Sequence, residues 1–224
     1  MKIREALELE REYVRKLTEK HFPNRTGIHA TDLNYCLRKQ VMRVQGRKEG
    51  SYVESTGAVM QYLRGQALHV LLTVGEGEKE YEWEGVVCHP DDVVDGVLYE
   101  YKTTLMSSEL TKTRTEALSD SWLRQAMTYA LAVGTVRVVF VVMHLMGNYK
   151  DRVPCLKVWD VLFEEKELMD HAKWVRERRD VWREALDRSV LPGVQYRAWE
   201  TECKGCDFEL YCQKEVMEER SARG

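Results

Sequence analysis

The sequence predicts a mixed α/β fold, in which a β-sheet core is flanked by helices. Apolar residues repeat at helical spacing within several charged segments, and shorter apolar runs typical of strands lie between those segments. The dipeptide Asp95-Gly96 joins two such runs, which is a strong signal for a β-hairpin. Helices before, between and after strands favour a mixed sheet packed against helices.

The composition is that of an ordinary folded protein. Hydrophobic residues make up 44% of the 224 positions and charged residues 32%, with only 4 Pro and 14 Gly, which excludes disordered, collagen-like and low-complexity classes. The longest apolar run, from Val138 to Met143, is too short to span a membrane, and the charged N-terminus lacks a signal-peptide core. We therefore expect a cytoplasmic protein that forms a single domain over residues 1–224.

Three helices are predicted in the first third of the chain. The first covers residues 2–20, where an irregular apolar stripe runs among charged residues. The second begins with Thr31 or Asp32 as its N-cap and carries Cys36. The third covers residues 57–74 and ends at a Gly-Glu-Gly-Glu segment.

Strands and helices alternate in the remainder of the chain. We expect strands at residues 81–87, on both sides of Asp95-Gly96, at 136–145 and at 155–163, the last two being hairpin partners. Helices are expected at 116–133, where Gly134 stops the helix, and at 164–188, before Pro192 and Gly193. The tail then carries three cysteines.

The predicted hairpin brings two carboxylates together. If Asp95-Gly96 forms a two-residue turn, Asp91 lies opposite Glu100, and Lys102 lies on the same face as Glu100. Opposed carboxylates repel each other, and a divalent metal such as Mg or Mn would relieve that repulsion. Lys102 would then orient or deprotonate a water molecule, or stabilise charge on a phosphate. The alternative is an exposed hairpin with mixed charges.

The same residues resemble a known signature. Pro90-Asp91 followed by Glu100-Tyr101-Lys102 is similar to the motif of the PD-(D/E)xK nuclease superfamily, which has a restriction-endonuclease-like fold. Two further motifs resemble the RecB-like branch, namely a helical histidine and a Gln-x3-Tyr pair. The resemblance implies that Mn or Mg is bound by His69, Asp91, Glu100 and the Tyr101 carbonyl, that Lys102 is catalytic, and that Gln125 and Tyr129 support the site or DNA.

Other ligands remain open at this point. His89 is a rival because it would face Lys102 across the same hairpin. Asp92 or Asp95 would replace Asp91 if the register of the turn slipped. Asp91 is the first choice for the metal-binding aspartate and Asp95 the second.

The cysteines form a second constellation. Cys203, Cys206 and Cys212 have C-x2-C-x5-C spacing, which suits a metal centre that lacks one ligand. Cys36, among basic residues, is the best fourth ligand, whereas two cysteines in apolar strands, Cys88 and Cys155, are typical of a core. Spacing alone does not separate zinc from an iron–sulfur cluster.

A remote cysteine, nuclease motifs and a C-terminal cysteine cluster together resemble the CRISPR-associated RecB-like exonucleases of the "Cas-four" type. The resemblance covers residues 31–213 and implies an iron–sulfur cluster, [4Fe-4S] in preference to [2Fe-2S], held by a helical end from residues 31–50 and 195–224. It also implies a metal-dependent exonuclease that digests single-stranded DNA, prepares spacers for CRISPR adaptation and works with a CRISPR integrase.

A basic segment adds a nucleic-acid prediction. Residues 36–50 carry five basic residues and one acidic residue, although the whole chain has a net charge of -3. Arg43 and Arg47 are therefore candidates for binding DNA phosphates, and a solvated helix face is the alternative.

Two other functions compete with the exonuclease. One is a zinc or iron–sulfur module that holds DNA or an integrase without cutting. The other is a repair nuclease of the helicase–nuclease kind. The sequence contains no G-x4-G-K-[S/T] motif, so this chain has no ATP-driven motor of that type.

Overall fold

A computed structural model describes residues 7–21, 27–49, 55–108, 118–197, 200–204 and 206–214. Its helices are α1 (Leu7–His21), α2 (Ala30–Leu33), α3 (Leu37–Glu49), α4 (Thr56–Leu72), α5 (Asp120–Val133) and α6 (Glu165–Arg188). Its strands are β1 (Ile28–His29), β2 (Tyr81–Trp83), β3 (Val86–Cys88), β4 (Asp92–Val94), β5 (Val97–Thr104), β6 (Arg137–His144) and β7 (Cys155–Leu162). Within these ranges, no helix combines the length and apolarity needed to cross a bilayer.

The main sheet is mixed. Its strand order is β4-β5-β6-β7, with β5 and β6 parallel and the two outer pairs antiparallel. The crossover from β5 to β6 includes α5, as a parallel pair requires. A smaller sheet has the order β1-β3-β2. The predicted mixed sheet flanked by helices is thus confirmed, and so is the β6–β7 pairing.

The core lies between the sheets and the helices α5 and α6. Phe140 and Val142 of β6, Ala126 and Ala130 of α5, and Trp182 of α6 are at most 1% exposed. Side chains of this size each contribute about 1.5–3 kcal/mol when fully buried, except the smaller alanines. Helix α5 begins at its Ser119 N-cap, later than predicted, and residues 116 and 117 of the expected helix lie outside the described residues.

The Asp95-Gly96 hairpin forms in the predicted register. Both residues have positive φ, 51° and 76°, as a two-residue turn between antiparallel strands requires. Asp92 pairs with Tyr99, and Val94 pairs with Val97. The register therefore places Asp91 beside the next residue along β5, which is Glu100.

The single strand predicted at residues 81–87 is wrong, since the chain forms a second hairpin there. Glu84 and Gly85 have φ values of 50° and 78°, and β2 and β3 pair on either side of them. A turn of this type reverses the chain within two residues. A Glu-Gly dipeptide is a weaker turn signal than Asp-Gly, and the apolar residues on both sides resemble one continuous strand.

The single helix predicted from Thr31 or Asp32 through Cys36 is also wrong. Helix α2 has His29 as its N-cap and ends at Leu33, and α3 begins at Leu37. Cys36 therefore lies in the break between two helices. The carbonyls of Leu33 and Tyr35 accept hydrogen bonds from Arg178 of α6 instead of the backbone hydrogen bonds of a continuous helix.

Candidate active site

The β4–β5 hairpin and the end of α4 form the candidate active site. Asp91 precedes β4, and one of its carboxylate oxygens accepts a hydrogen bond from the Tyr101 amide at 2.7 Å. This bond extends the hairpin by one step, because the Asp91 side chain takes the place of a backbone partner. The amide and carbonyl of a strand residue face the same side, so the Tyr101 carbonyl also faces Asp91.

Lys102 joins the two carboxylates. Its Nζ forms a short hydrogen bond with Glu100 Oε2 and lies 3.5 Å from Asp91 Oδ2. Burial opposes the charged ammonium, but the negative charges of Glu100 and Asp91 outweigh it and raise the pKa of Lys102. The cation remains protonated in this arrangement.

Glu100 is fully buried. Burial and the Asp91 charge raise the pKa of Glu100, while Lys102 acts in the opposite direction. Its second oxygen, Oε1, is buried and has no hydrogen-bond partner among the described residues. A buried acceptor without a partner lowers the stability of the folded protein by about 1–3 kcal/mol, which favours a further donor or cation at this position.

His69 of α4 completes the group predicted from the sequence. Its Nε2 lies 3.6 Å from Asp91 Oδ1 and 3.3 Å from the Asp91 carbonyl oxygen. The imidazole ring also packs at a tilt against Tyr101, with ring centroids 5.5 Å apart. His69, Asp91, Glu100 and Lys102 are thus close together.

The donors at this site suit a divalent metal of the Mg or Mn kind. Carboxylate and carbonyl oxygens are the ligands that such ions prefer, and the unpartnered oxygen of Glu100 is a free acceptor. In the part of the chain that the structure describes, however, no three His, Cys, Asp or Glu side chains are arranged as a formed metal site. Lys102 bridges Asp91 and Glu100 instead.

Asp92 has a structural position on the opposite face of the hairpin. Its carboxylate is 1% exposed and accepts hydrogen bonds from the amides of Gly75 and Gly77 and from the Tyr101 hydroxyl. A Cβ on Gly75 would lie 2.6 Å from the carboxylate, so this close approach requires glycine. Asp92 therefore fixes the loop after α4, the helix that carries His69.

The two other rival ligands lie away from Lys102. Asp95 is exposed in the turn, since the register did not slip. His89 stacks on His29, with ring centroids 5.5 Å apart, and its Nδ1 lies 3.2 Å from Glu78. Pro90 has no amide hydrogen, so the β4–β5 ladder does not extend to His89.

Gln125 and Tyr129 of α5 border the site from the other side. The Gln125 amide donates a hydrogen bond to the Tyr129 hydroxyl at 2.8 Å. Burial and the charge of Glu100 raise the pKa of Tyr129. The Gln-x3-Tyr pair is therefore a joined unit beside Glu100 and Lys102.

Tyr35 is linked electrostatically to both the basic segment and the candidate site. Burial raises the pKa of Tyr35, and the positive charges of Lys102 and Arg43 partly offset that effect. Both cations therefore lie near this phenol. The side chain of Arg47 lies outside the described residues, although its backbone belongs to α3.

The structure brings Cys36 to the tail that carries the other three cysteines, because the Cys36 amide donates a hydrogen bond to Glu202, the residue before Cys203, at 2.7 Å. Burial raises the pKa of the Cys36 thiol, with smaller contributions from the charges of Glu202 and Cys203. Cys206 donates its amide to the Cys203 carbonyl at 3.1 Å, so these two residues share one turn. Cys212 follows on the next helical turn. Four thiols suit zinc or an iron–sulfur cluster, but no three of them converge within the described residues.

Glu202 and Arg178 were not predicted at these sites, and Arg38, one of the five basic residues of the segment 36–50, is 5% exposed instead of facing DNA phosphates. The Cys36 amide donates to Glu202 at 2.7 Å, and Arg38 and Arg178 bind carbonyls of distant segments. Nothing in the local sequence marks these partners, because they lie more than a hundred positions away. The two core cysteines differ: Cys88 is buried as predicted, whereas Cys155 is only half-buried on β7.

Comparison with known proteins identifies the fold. No protein-family model and no curated protein sequence matches this chain. The crystal structure of the protein SSO0001 is similar, with a TM-score of 0.54 at 16% identity over 92% of this chain and 96% of that chain. The alkaline exonuclease LHK-Exo from Laribacter hongkongensis is similar with a TM-score of 0.50 at 14% identity, over 73% and 92%. The chain shares its fold with an exonuclease.

Proposed function

We propose that this chain is a metal-dependent nuclease that hydrolyses DNA phosphodiester bonds as an exonuclease on single-stranded DNA. The observation that carries the proposal is the convergence of Asp91, Glu100 and Lys102, with His69, on one hairpin face. A protein that only binds DNA has no need of two neighbouring carboxylates in this place. The similarity of the fold to that of the alkaline exonuclease LHK-Exo supports the proposal.

His69, Asp91, Glu100 and the Tyr101 carbonyl would hold Mg or Mn. A bound ion of this kind polarises a phosphate oxygen and lowers the pKa of a bound water molecule. Asp91 is oriented by the Tyr101 amide, and Glu100 is oriented by Lys102. These bonds set the positions of both carboxylates before substrate binds.

Lys102 is the cation of the site. Its Nζ is hydrogen-bonded to Glu100 and lies 3.5 Å from Asp91, next to the proposed metal position. The ammonium is well placed to donate hydrogen bonds to a phosphate oxygen as negative charge develops. Gln125 and Tyr129 support this role from α5, beside Glu100 and Lys102.

At the other end, we propose that Cys36, Cys203, Cys206 and Cys212 hold an iron–sulfur cluster, [4Fe-4S] in preference to [2Fe-2S]. The hydrogen bond from the Cys36 amide to Glu202, the residue before Cys203, supports this assignment. A role in CRISPR adaptation with an integrase is part of the same proposal. Anaerobic purification with iron, sulfide and zinc analysis tests the cluster, and co-purification with a CRISPR integrase tests the partner.

The test of nuclease activity uses three DNA substrates of the same sequence: linear single strands labelled at either end, circular single strands, and blunt duplex. We expect degradation of linear single strands with Mn or Mg, none in EDTA, and resistance of the circle. Lys173→Met is a matched control for Lys102→Met, because Lys173 is an exposed lysine of α6 paired with Asp170.

Undiminished cleavage in EDTA would contradict the metal-dependent mechanism. Cleavage of the circle would show an endonuclease instead of an exonuclease. DNA binding without cleavage under any metal condition would favour the non-catalytic binding module.

A further inference from the structure

Arg178 is a buried cation whose main hydrogen-bond partners are backbone carbonyls. Its side chain is on α6 and is 4% exposed, with the guanidinium 4.6 Å from the centre of the Trp174 ring. Nε donates to the Leu33 carbonyl at 2.6 Å, and Nη2 donates to the carbonyls of Tyr35 and Tyr196. Burial lowers the pKa of Arg178 to about 10, so the group is still charged at neutral pH.

The three carbonyls belong to the two segments that carry the cysteines. Leu33 and Tyr35 lie in the break just before Cys36, and Tyr196 lies in the stretch that leads to Cys203. A planar guanidinium has five donors in a fixed arrangement, so it holds several acceptors at a defined separation. A lysine has no such fork.

Two further contacts join the same segments. Arg38 donates to the Pro192 carbonyl at 3.0 Å, and Glu202 accepts the Cys36 amide at 2.7 Å. Both contacts span more than 150 positions, so the two segments meet through protein groups alone. Arg178 differs from them because it contacts both segments from a third element, α6.

We infer that Arg178 is a positioning residue that holds Cys36 beside Cys203 before any metal or cluster binds. The guanidinium holds the break between α2 and α3 at a fixed distance from the segment that contains Tyr196. Cys36 and Cys203 therefore lie on segments that face each other. The significance of this placement rests on the proposed cysteine-bound centre. The placement itself is a property of the metal-free protein and is measurable without iron.

The experiment measures disulfide formation between Cys36 and Cys203 in metal-free protein. The full chain carries Cys206→Ser and Cys212→Ser, diamide is the oxidant, and mass spectrometry of peptides identifies the linked pair. We expect Arg178→Met to slow formation of this disulfide by about tenfold, since hydrogen bonds to a charged group are among the stronger ones. Arg178→Lys, which keeps the charge but not the fork, should recover part of the rate.

Two control variants on α6 separate positioning from general loss of stability. Val175→Ala removes buried apolar volume from the same helix, and Arg176→Lys changes an exposed arginine that pairs with Glu84. The rate of disulfide formation in each variant is measured at a fixed number of degrees below the melting temperature of that variant. This rate is then compared with the rate of Arg178→Lys measured in the same way. We expect both controls to keep the parent rate, so a rate loss confined to the Arg178 variants supports the inference.

An unchanged rate in Arg178→Lys and Arg178→Met would overturn the inference, as would an equal loss in Val175→Ala. Iron and zinc analysis of the parent protein is a separate measurement. If the parent binds neither metal but the Arg178 variants still lose the disulfide, the proposed cluster fails and the positioning role stands. If the parent binds iron and the Arg178 variants form the disulfide at the parent rate, the cluster stands and the inference fails.

Discussion

The carboxylate site and the cysteine end are assembled by different means. Asp91, Glu100 and Lys102 lie on one hairpin, where the strand register places them together. Cys36 and Glu202 are 166 positions apart, and side-chain to backbone contacts bring them together. Local register forms a site from a short stretch of sequence, whereas a site between distant segments needs dedicated residues such as Arg178.

The largest expected effect is at the carboxylate site. Lys102→Met should lower the rate of DNA hydrolysis by about a hundredfold or more, because it removes a charge that stabilises the transition state. Metal-dependent turnover on end-labelled single strands is the measurement, with Lys173→Met as the control. An activity equal to that of the control would show that the Lys102 ammonium only balances the two carboxylates.

The register of the hairpin is tested by two neighbouring aspartates. Asp92→Ala should lower the free energy of unfolding by about 3 kcal/mol, because it leaves the amides of Gly75 and Gly77 without their acceptor. Asp95→Ala, in the exposed turn, should change it by less than about 0.5 kcal/mol. Urea denaturation of both variants measures the difference. Equal losses would contradict the placement of Asp92 on the buried face.

The α5–α6 interface connects the two regions and carries a pH-dependent group. His171 of α6 is hydrogen-bonded to Thr128 of α5 at 2.8 Å, and burial together with the positive charge of Arg124 lowers the pKa of His171 to about 4. The unfolded chain therefore binds a proton more readily than the folded chain. This contribution to stability is present above pH 6.5 and is lost as pH falls towards 4.

We expect His171 to account for a loss of about 2 kcal/mol in unfolding free energy between pH 7 and pH 5. The measurement is urea denaturation at several pH values for the parent and for His171→Gln. The variant should show a smaller pH dependence over this interval. Parallel curves would mean that His171 is not the group responsible.

The smallest expected effect concerns DNA affinity. Arg43→Ala should weaken binding of all sequences alike and reduce the slope of log affinity against log salt by about one. Arg188→Ala is the control, because Arg188 is 71% exposed and pairs with Glu184 at the far end of α6. Filter binding in the presence of EDTA separates affinity from cleavage. An unchanged salt slope would exclude Arg43 from the DNA path.

The sequence predicted the parts of the structure that depend on short-range signals. The Asp95-Gly96 turn, the helix end at Gly134 and the paired β6 and β7 all have local causes. The hairpin at Glu84-Gly85 has a local cause too, but its dipeptide is a weak signal between apolar residues. The break before Cys36 has no local cause, because the partner that stabilises it is Arg178, on α6.

The sequence by itself determined that Asp91, Glu100 and Lys102 meet, since alternation along a strand and a two-residue turn leave one register. Only the tertiary structure decided that Asp92 faces the buried loop after α4, that His89 packs against His29, and that Cys36 lies beside Glu202. The physical reason is the separation of the interacting residues along the chain. The pairing of a hairpin depends on neighbouring residues, whereas these three placements depend on hydrogen bonds and packing between residues far apart in the chain.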